Sequence, residues 1–197
     1  ESYTRMADQI ADTLGELKGA VMKVGQIASQ TQDFLPKEFS DALEKLQKEA
    51  PPMPFEVIVG QIESELGKPV SELFEYLQET PYAAASIGQV HRARLHDGTD
   101  VIVKIQYPGV DESCDSDLKQ LRMALRLGGL LKMPKESVDR LFAEIRERLK
   151  EELDYENEAR NIELFREFHK DQPWVLIPSV AKSHSTRRVL TMELVEG

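Results

Sequence analysis

Residues 82–106 read YAAASIGQVHRARLHDGTDVIVKIQ, and their alternation decides what fold the rest of the chain builds around. Segments 82–95 and 99–106 place apolar residues at every second position, the period of a half-buried strand. Asp97-Gly98 between them is a hairpin signal, because glycine accepts the positive φ that tight turns need. The second run, Val101-Ile102-Val103, ends in Lys104. A strand, a loop of small residues, a strand, a turn and a strand ending in lysine is a layout used to roof a nucleotide. Loops that cover phosphates in this way are ordinarily rich in glycine, which lets the backbone approach closely. Here the loop is Ala83, Ala84, Ala85 and Ser86. Each alanine keeps a Cβ and disfavours φ > 0, so the loop is expected to hold a nucleotide less permissively.

On the N-terminal side the period becomes helical. Leu14, Leu17, Val21, Val24 and Ala28 form an apolar stripe on a helix predicted over 3–30, and the opposite face holds Gly15, Gly19, Lys23, Gln26 and Gln30. Glycine inside a helix costs about 1 kcal/mol relative to alanine. Two of them beside Lys23 and Gln26 suit a close approach to another surface; the same residues also suit a solvated turn, and spacing alone leaves both readings open. A second helix is predicted from Lys37 to Ala50, stopped by Pro51-Pro52, and a third over 54–66, ended by Gly67. Residues 71–78 read as a short helical turn.

Beyond the hairpin, Tyr107-Pro108-Gly109-Val110 leaves the strand and a helix is predicted from about Asp115 to Lys132. Pro134 breaks it. A single amphipathic helix, capped by Ser137, is expected from there to Phe168. The tail from Trp174 reads as two strands around a turn at 183–186. The chain is thus a mixed α+β fold, helical over 1–80 and built around a sheet over 81–197.

Composition limits the function. The net charge of −10 argues against nucleic acid, whose binding needs clustered Lys and Arg. One cysteine, Cys114, and four scattered histidines rule out a disulfide framework or a zinc cluster. No apolar stretch approaches the roughly 20 residues of a membrane span, and the first residues lack a signal-peptide layout. The chain begins without Met and is expected to be part of a longer protein.

Lys104 by itself would read as a strand emerging into solvent. In nucleotide-dependent phosphoryl transfer, however, a strand lysine holds the phosphates and is held in turn by a glutamate from a helix packed on the sheet. The run EELDYENEARN at 151–161 offers such acids. Glu151, Asp154, Tyr155, Glu158 and Ile162 would share one helix face, and Tyr155 and Ile162 turn that face towards something packed. Three strands, a Glu-bearing helix and two further strands ending in LTMELVEG is the succession in a protein-kinase small lobe. The hinge against which adenine binds would then be Met192-Glu193-Leu194-Val195.

With KVGQ at 23–26, AAAS at 83–86 and ELD at 152–154, the chain resembles the small lobe of the UbiB-type, or aarF-domain-containing, atypical protein-kinase-like family, which supports ubiquinone biosynthesis. These match the family's K-x-G-Q, alanine-rich loop and E-x-D motifs. Lys104 and Glu158 match its ion-paired lysine and glutamate, and VKIQYPGV at 103–110 also resembles the family. The resemblance runs from about residue 10 to the end. It implies a five-stranded antiparallel sheet with a long αC-type helix, preceded by a helical extension that folds across the active site and followed by a large lobe. It implies ATP or ADP with Mg2+, the metal held by large-lobe groups and by none here. Lys104, Glu158, Lys23, Gln26, Glu152 and Asp154 would form the catalytic set, with Lys23 pairing Glu152 or Asp154. Ala83, Ala84, Ala85, Ser86, Lys104, Met192, Glu193 and Val195 would contact nucleotide.

The function so implied is that of an atypical kinase or ATPase in ubiquinone or other isoprenoid-lipid metabolism. A membrane lipid or quinone-biosynthesis proteins are the expected partners, in the cytoplasm or an organelle, peripheral to a membrane. The alternative is a pseudokinase-like scaffold for a lipid-biosynthesis complex. No DFG sequence is present, and His169-Lys170-Asp171 precedes the hinge, so this stretch alone is expected not to turn over.

Overall fold

The computed structural model describes residues 52–84, 87–127 and 134–195. The helices expected over 3–30 and 37–50 lie outside the described residues. Two compact units emerge: one holds Pro52–Pro108 and the chain from Glu151 onward, the other Gly109–Lys150.

The first unit is built on an antiparallel sheet. Helix α1 (Phe55–Leu66) starts after Pro54, whose carbonyl accepts from the Val57 and Ile58 amides, and ends at Gly67, where φ is +67°. Both ends follow from the chain: proline cannot continue a helix backwards, and glycine takes the left-handed C-cap without a Cβ clash. A turn of helix, α2 (Val70–Leu73), leads into β1 (Tyr76–Leu77), then β2 (Ala83–Ala84), β3 (Gly88–Arg94) and β4 (Asp100–Gln106). β5 (Val189–Glu193) closes the sheet, ordered β1-β3-β4-β5, with β2 paired to β3 off that path. The β3–β4 hairpin turns at Gly98, with φ of +88°, and the Asp97 carboxylate accepts from the Thr99 amide at 2.9 Å.

β4 is buried on alternate positions. Val101, Val103 and Ile105 join Ile58 and Ile62 of α1 in one apolar core with Leu73, Phe74, Ala93 and Val189. Ile102, Lys104 and Gln106 therefore point to the other face. Gly88 is required by packing, since a Cβ there would sit 2.1 Å from the Ile105 carbonyl oxygen. Glu65 of α1 accepts from Thr186 and Arg188 at 2.8 and 3.1 Å, tying the helix to the approach of β5.

The second unit contains α3 (Val110–Leu127) and the body of α4 (Lys135–Glu152). Cys114, Leu118 and Leu121 on α3, and Val138, Phe142, Ile145 and Leu149 on α4, are all buried. They recur at three- and four-residue steps, the stripe of an amphipathic helix. Asp115–Arg146 and Arg122–Asp139 ion pairs join the two helices.

Four sequence expectations need correction. The single helix expected over 137–168 is two, α4 and α5 (Tyr155–Phe168), parted at Leu153-Asp154. Asp154 caps α5, accepting from the Asn157 amide at 2.9 Å, and a short acid that satisfies a free amide competes with helix continuation. Glu151 therefore stands on a different helix from Tyr155, Glu158 and Ile162. Ser137 is not the cap of α4 but lies in its first turn, its amide donating to the Pro134 carbonyl. Residues 174–181 form no strand: an isolated bridge joins Val180 to Met192, because Pro173 and Pro178 lack the amides a longer ladder needs. Lastly, Tyr76 and Leu77, expected in a helical turn, pair with Arg94 and Ala93 as a strand.

Candidate functional site

Lys104 lies within β4, and its Nζ donates to both carboxylate oxygens of Glu158 of α5, at 2.9 and 2.7 Å. The two side chains are half-buried, 25% and 36% exposed. That matters for strength, because a water-washed pair contributes little whereas a partly desolvated, bidentate one holds its geometry. The same ammonium lies 4.7 Å from the centre of the Tyr155 ring, within cation–π range. Tyr155 is fully buried, and burial, with the Glu158 carboxylate adding to it, pushes its phenol well above the usual range. The ring is therefore a neutral platform at working pH. Lys104 is thus fixed by a carboxylate and by a ring face, both from the first turn of α5.

The alanine loop is partly strand. Ala83 and Ala84 pair with Val90 and Gln89 of β3, which holds this part of the loop on the sheet. Ala85 and Ser86 lie outside the described residues, as do Lys23 and Gln26. At the far end, Met192 is half-buried and pairs with Ile102. The main-chain amides of Glu193 and Leu194 are engaged within the sheet unit, by the Ser179 and Asp100 carbonyls, each at 2.9 Å. The Glu193 carboxylate accepts from the Ser179 hydroxyl. Val195, half-buried, follows. Of the acids, Glu152 ends α4 and Asp154 is occupied on one oxygen as the α5 cap.

The donor chemistry fits a phosphate. An ammonium has three N–H groups, and the two directed at Glu158 leave a third for an anion. Among the described residues, no group of three or more His, Cys, Asp or Glu side chains is placed to hold a metal ion. His169-Lys170-Asp171 is the end of α5, where the His169 ring meets the Gln172 amide oxygen at 2.7 Å.

Of the buried polar residues missed by sequence reasoning, three bear on the sheet's interior. Gln89 and His91, both fully buried, form a chain: the Met53 amide donates to Gln89 Oε1, Gln89 Nε2 lies 3.2 Å from His91 Nε2, and His91 Nδ1 lies 2.8 Å from the Gln78 carbonyl. The third, Gln106, is fully buried on the Lys104 face of β4. Its signal was available, since the alternation of VIVKIQ sets Gln106 and Lys104 on one face.

An antiparallel sheet whose central strand carries a lysine held by a helix glutamate is the arrangement of a kinase-like small lobe. The ABC1 atypical kinase-like domain matches residues 45–197, and the chain belongs to that family. It is 42% identical over 97% of its length to the mitochondrial atypical kinase coq-8 of Caenorhabditis elegans, of which it covers 25%. It is 41% identical to the mitochondrial atypical kinase COQ8 of Saccharomyces cerevisiae over 96% of this chain, covering 38% of that protein. Among solved structures it resembles Rv3197 of Mycobacterium tuberculosis in complex with erythromycin, with 40% identity and a TM-score of 0.60 over 98% of this chain and 49% of that one. The chain therefore spans a quarter to two fifths of the two curated relatives. Among the described residues no helix is long and apolar enough to cross a membrane.

Proposed function

We propose that this chain is the nucleotide-binding part of a UbiB-like atypical kinase or ATPase acting in ubiquinone or other isoprenoid-lipid metabolism. The observation that carries this reading is the bidentate Lys104–Glu158 pair on the buried ring of Tyr155. Bound ATP or ADP would supply the phosphate chain, with Mg2+ ligands coming from a large lobe. Lys104 would hold a phosphate oxygen through its third N–H, while Glu158 keeps the ammonium aimed. Ala83 to Ser86 would close over the phosphates. With the Glu193 and Leu194 amides engaged inside the sheet unit, the base edge would meet the chain at Val195, next to Met192 and Glu193.

Lys23 and Gln26 are assigned to an extension that faces segment 152–158 and excludes bulky protein substrates, with Glu152 or Asp154 as the partner of Lys23. The relatives named as mitochondrial, and one from Arabidopsis thaliana named as chloroplastic, support an organellar setting.

The test is ATP affinity with magnesium in the full-length protein. Lys104→Ala should weaken binding about a hundredfold, the scale of a lost charge-assisted contact, without moving the thermal transition of the lobe. Unchanged affinity with a collapsed transition would make the lysine purely structural and overturn the reading. Ala84→Gly should separately change ATP or ADP affinity, and identical titrations would overturn the role given to the loop.

A further inference from the structure

We infer that Gln106 is a positioning residue for the Lys104–Glu158 pair; this deepens the nucleotide-site reading and rests on it. Gln106 sits two residues beyond Lys104 on the same face of β4, with no solvent exposure. Its Nε2 donates to the Leu153 carbonyl at 2.9 Å and to the Arg187 carbonyl at 3.3 Å. The Arg187 carbonyl also accepts from the Tyr155 amide at 3.1 Å. One side-chain amide thereby holds the residue between α4 and α5 and shares an acceptor with the first residue of α5.

These bonds close a ring. It runs from Lys104 along two residues of strand to Gln106, across to Leu153, along the first turn of α5 to Glu158, and back to Lys104 through the ion pair. Every link except the Gln106 bonds and the ion pair is covalent backbone in regular or capped structure. The start of α5 is where the chain could otherwise slide or rotate, because α4 ends there and the new helix is defined by the Asp154 cap, by the Tyr155 amide on the Arg187 carbonyl and by the Gln106 bonds. A helix rotated by one residue turns Glu158 by about 100° away from Lys104. The amide prevents that rotation from the lysine's own strand.

The cost of this arrangement shows what the amide is kept for. Gln106 Oε1 is buried and has no hydrogen-bond partner. Turning the amide over would set that oxygen against two carbonyl oxygens, so the NH2 group must face them. A methionine of the same shape would avoid the unpaired acceptor but would hold neither carbonyl. The residue present accepts the penalty and keeps the two donors.

The experiment uses the full-length protein carrying Gln106→Met, Lys104→Met and both, with two readouts. One is ATP affinity in the presence of magnesium. The other is the lysine-ammonium 1H–15N signal assigned to Lys104 by its absence in Lys104→Met. Gln106→Met should remove or shift the Lys104 signal and weaken ATP binding about tenfold, with little further loss on the Lys104→Met background. An unchanged Lys104 signal, or an affinity loss that adds in full to that of Lys104→Met, overturns the inference. Should Lys104→Met leave ATP affinity untouched, the nucleotide reading falls while the ammonium signal still decides the role of Gln106. Gln106→Glu covers the case in which the methionine protein does not fold. At low pH its neutral carboxyl is again a donor and the Lys104 signal should return, whereas a signal equally disturbed at low and high pH overturns the inference.

Discussion

In the sheet unit Gln89, His91, Gln106 and Thr191 are all without solvent contact, whereas the described residues of α3 and α4 bury only aliphatic, aromatic and thiol groups. The ion pairs of the helical unit lie at its rim: Arg146 and Asp115 are 45% and 47% exposed, against 25% for Lys104. Cys114 fits this pattern, since burial, aided by Asp115 and Asp117, pushes its thiol up and leaves it inert as a nucleophile. The sheet unit, which holds the Lys104–Glu158 pair, carries buried amides and an imidazole, each with a directional partner, and among the described residues leaves two orphaned polar atoms, Gln106 Oε1 and the Tyr155 hydroxyl.

The largest effect should come at Gly88, where the backbone of β3 leaves no room for a Cβ against Ile105. Gly88→Ala forces a methyl group against the Ile105 carbonyl and should destabilise by about 3 kcal/mol or prevent folding, in keeping with overpacking at an unyielding site. Chemical denaturation measures it. Gly60 on α1 is the control: nothing lies within 4 Å of its Cβ position, and Gly60→Ala should stabilise by about 1 kcal/mol through helix propensity. Equal effects at the two sites would remove the contrast between close packing and open surface.

Next comes His91. Because Nδ1 faces a carbonyl, it carries the proton, and Nε2 accepts from Gln89, whose own oxygen is claimed by Met53. A protonated ring would set a second N–H against the Gln89 NH2, and burial already lowers the imidazole below its usual value. The unfolded chain then binds a proton that the native state refuses. His91 therefore contributes stability that is complete above about pH 6.5 and is lost as pH falls through the lowered native value, by at most about 1.4 kcal/mol per pH unit. Denaturant midpoints between pH 8 and pH 5 check this, with His91→Phe predicted to lose the slope.

The smallest effect should be at the helical rim. The Arg146 guanidinium holds the Asp115 carboxyl down at about 2. Its contribution is present above about pH 4 and disappears as pH falls towards 2. Because the pair is exposed, Asp115→Asn should shift the neutral-pH melt barely beyond its resolution and flatten the acid limb. A large loss at neutral pH would mean that the helical unit also depends on an aimed charge.

Much of this was written into local residues. Pro54 and Gly67 bound α1, Asp97-Gly98 makes the hairpin, and the alternation of VIVK sets Lys104 on the face of β4 opposite the apolar one, although the strand runs on to Gln106 instead of ending at the lysine. Each depends on steric or conformational preferences that a few neighbouring residues settle. Glu158 could be nominated because an acid beside Tyr155 on an amphipathic run has few other uses. What local reading could not decide was the competition between alternatives that are each locally acceptable. EELDYENEARN suits one continuous helix, and the Gln106, Asp154 and Tyr155 contacts, one reaching 47 residues along the chain, make the break at Leu153 the better state. WVLIPSVAK has strand-forming residues, yet its prolines leave one bridge. Tyr76 and Leu77 become a strand only because β3 presents an open edge to them. Gln89, His91 and Gln106 look like ordinary polar positions until burial removes water as a partner and every remaining donor and acceptor has to be found within the fold.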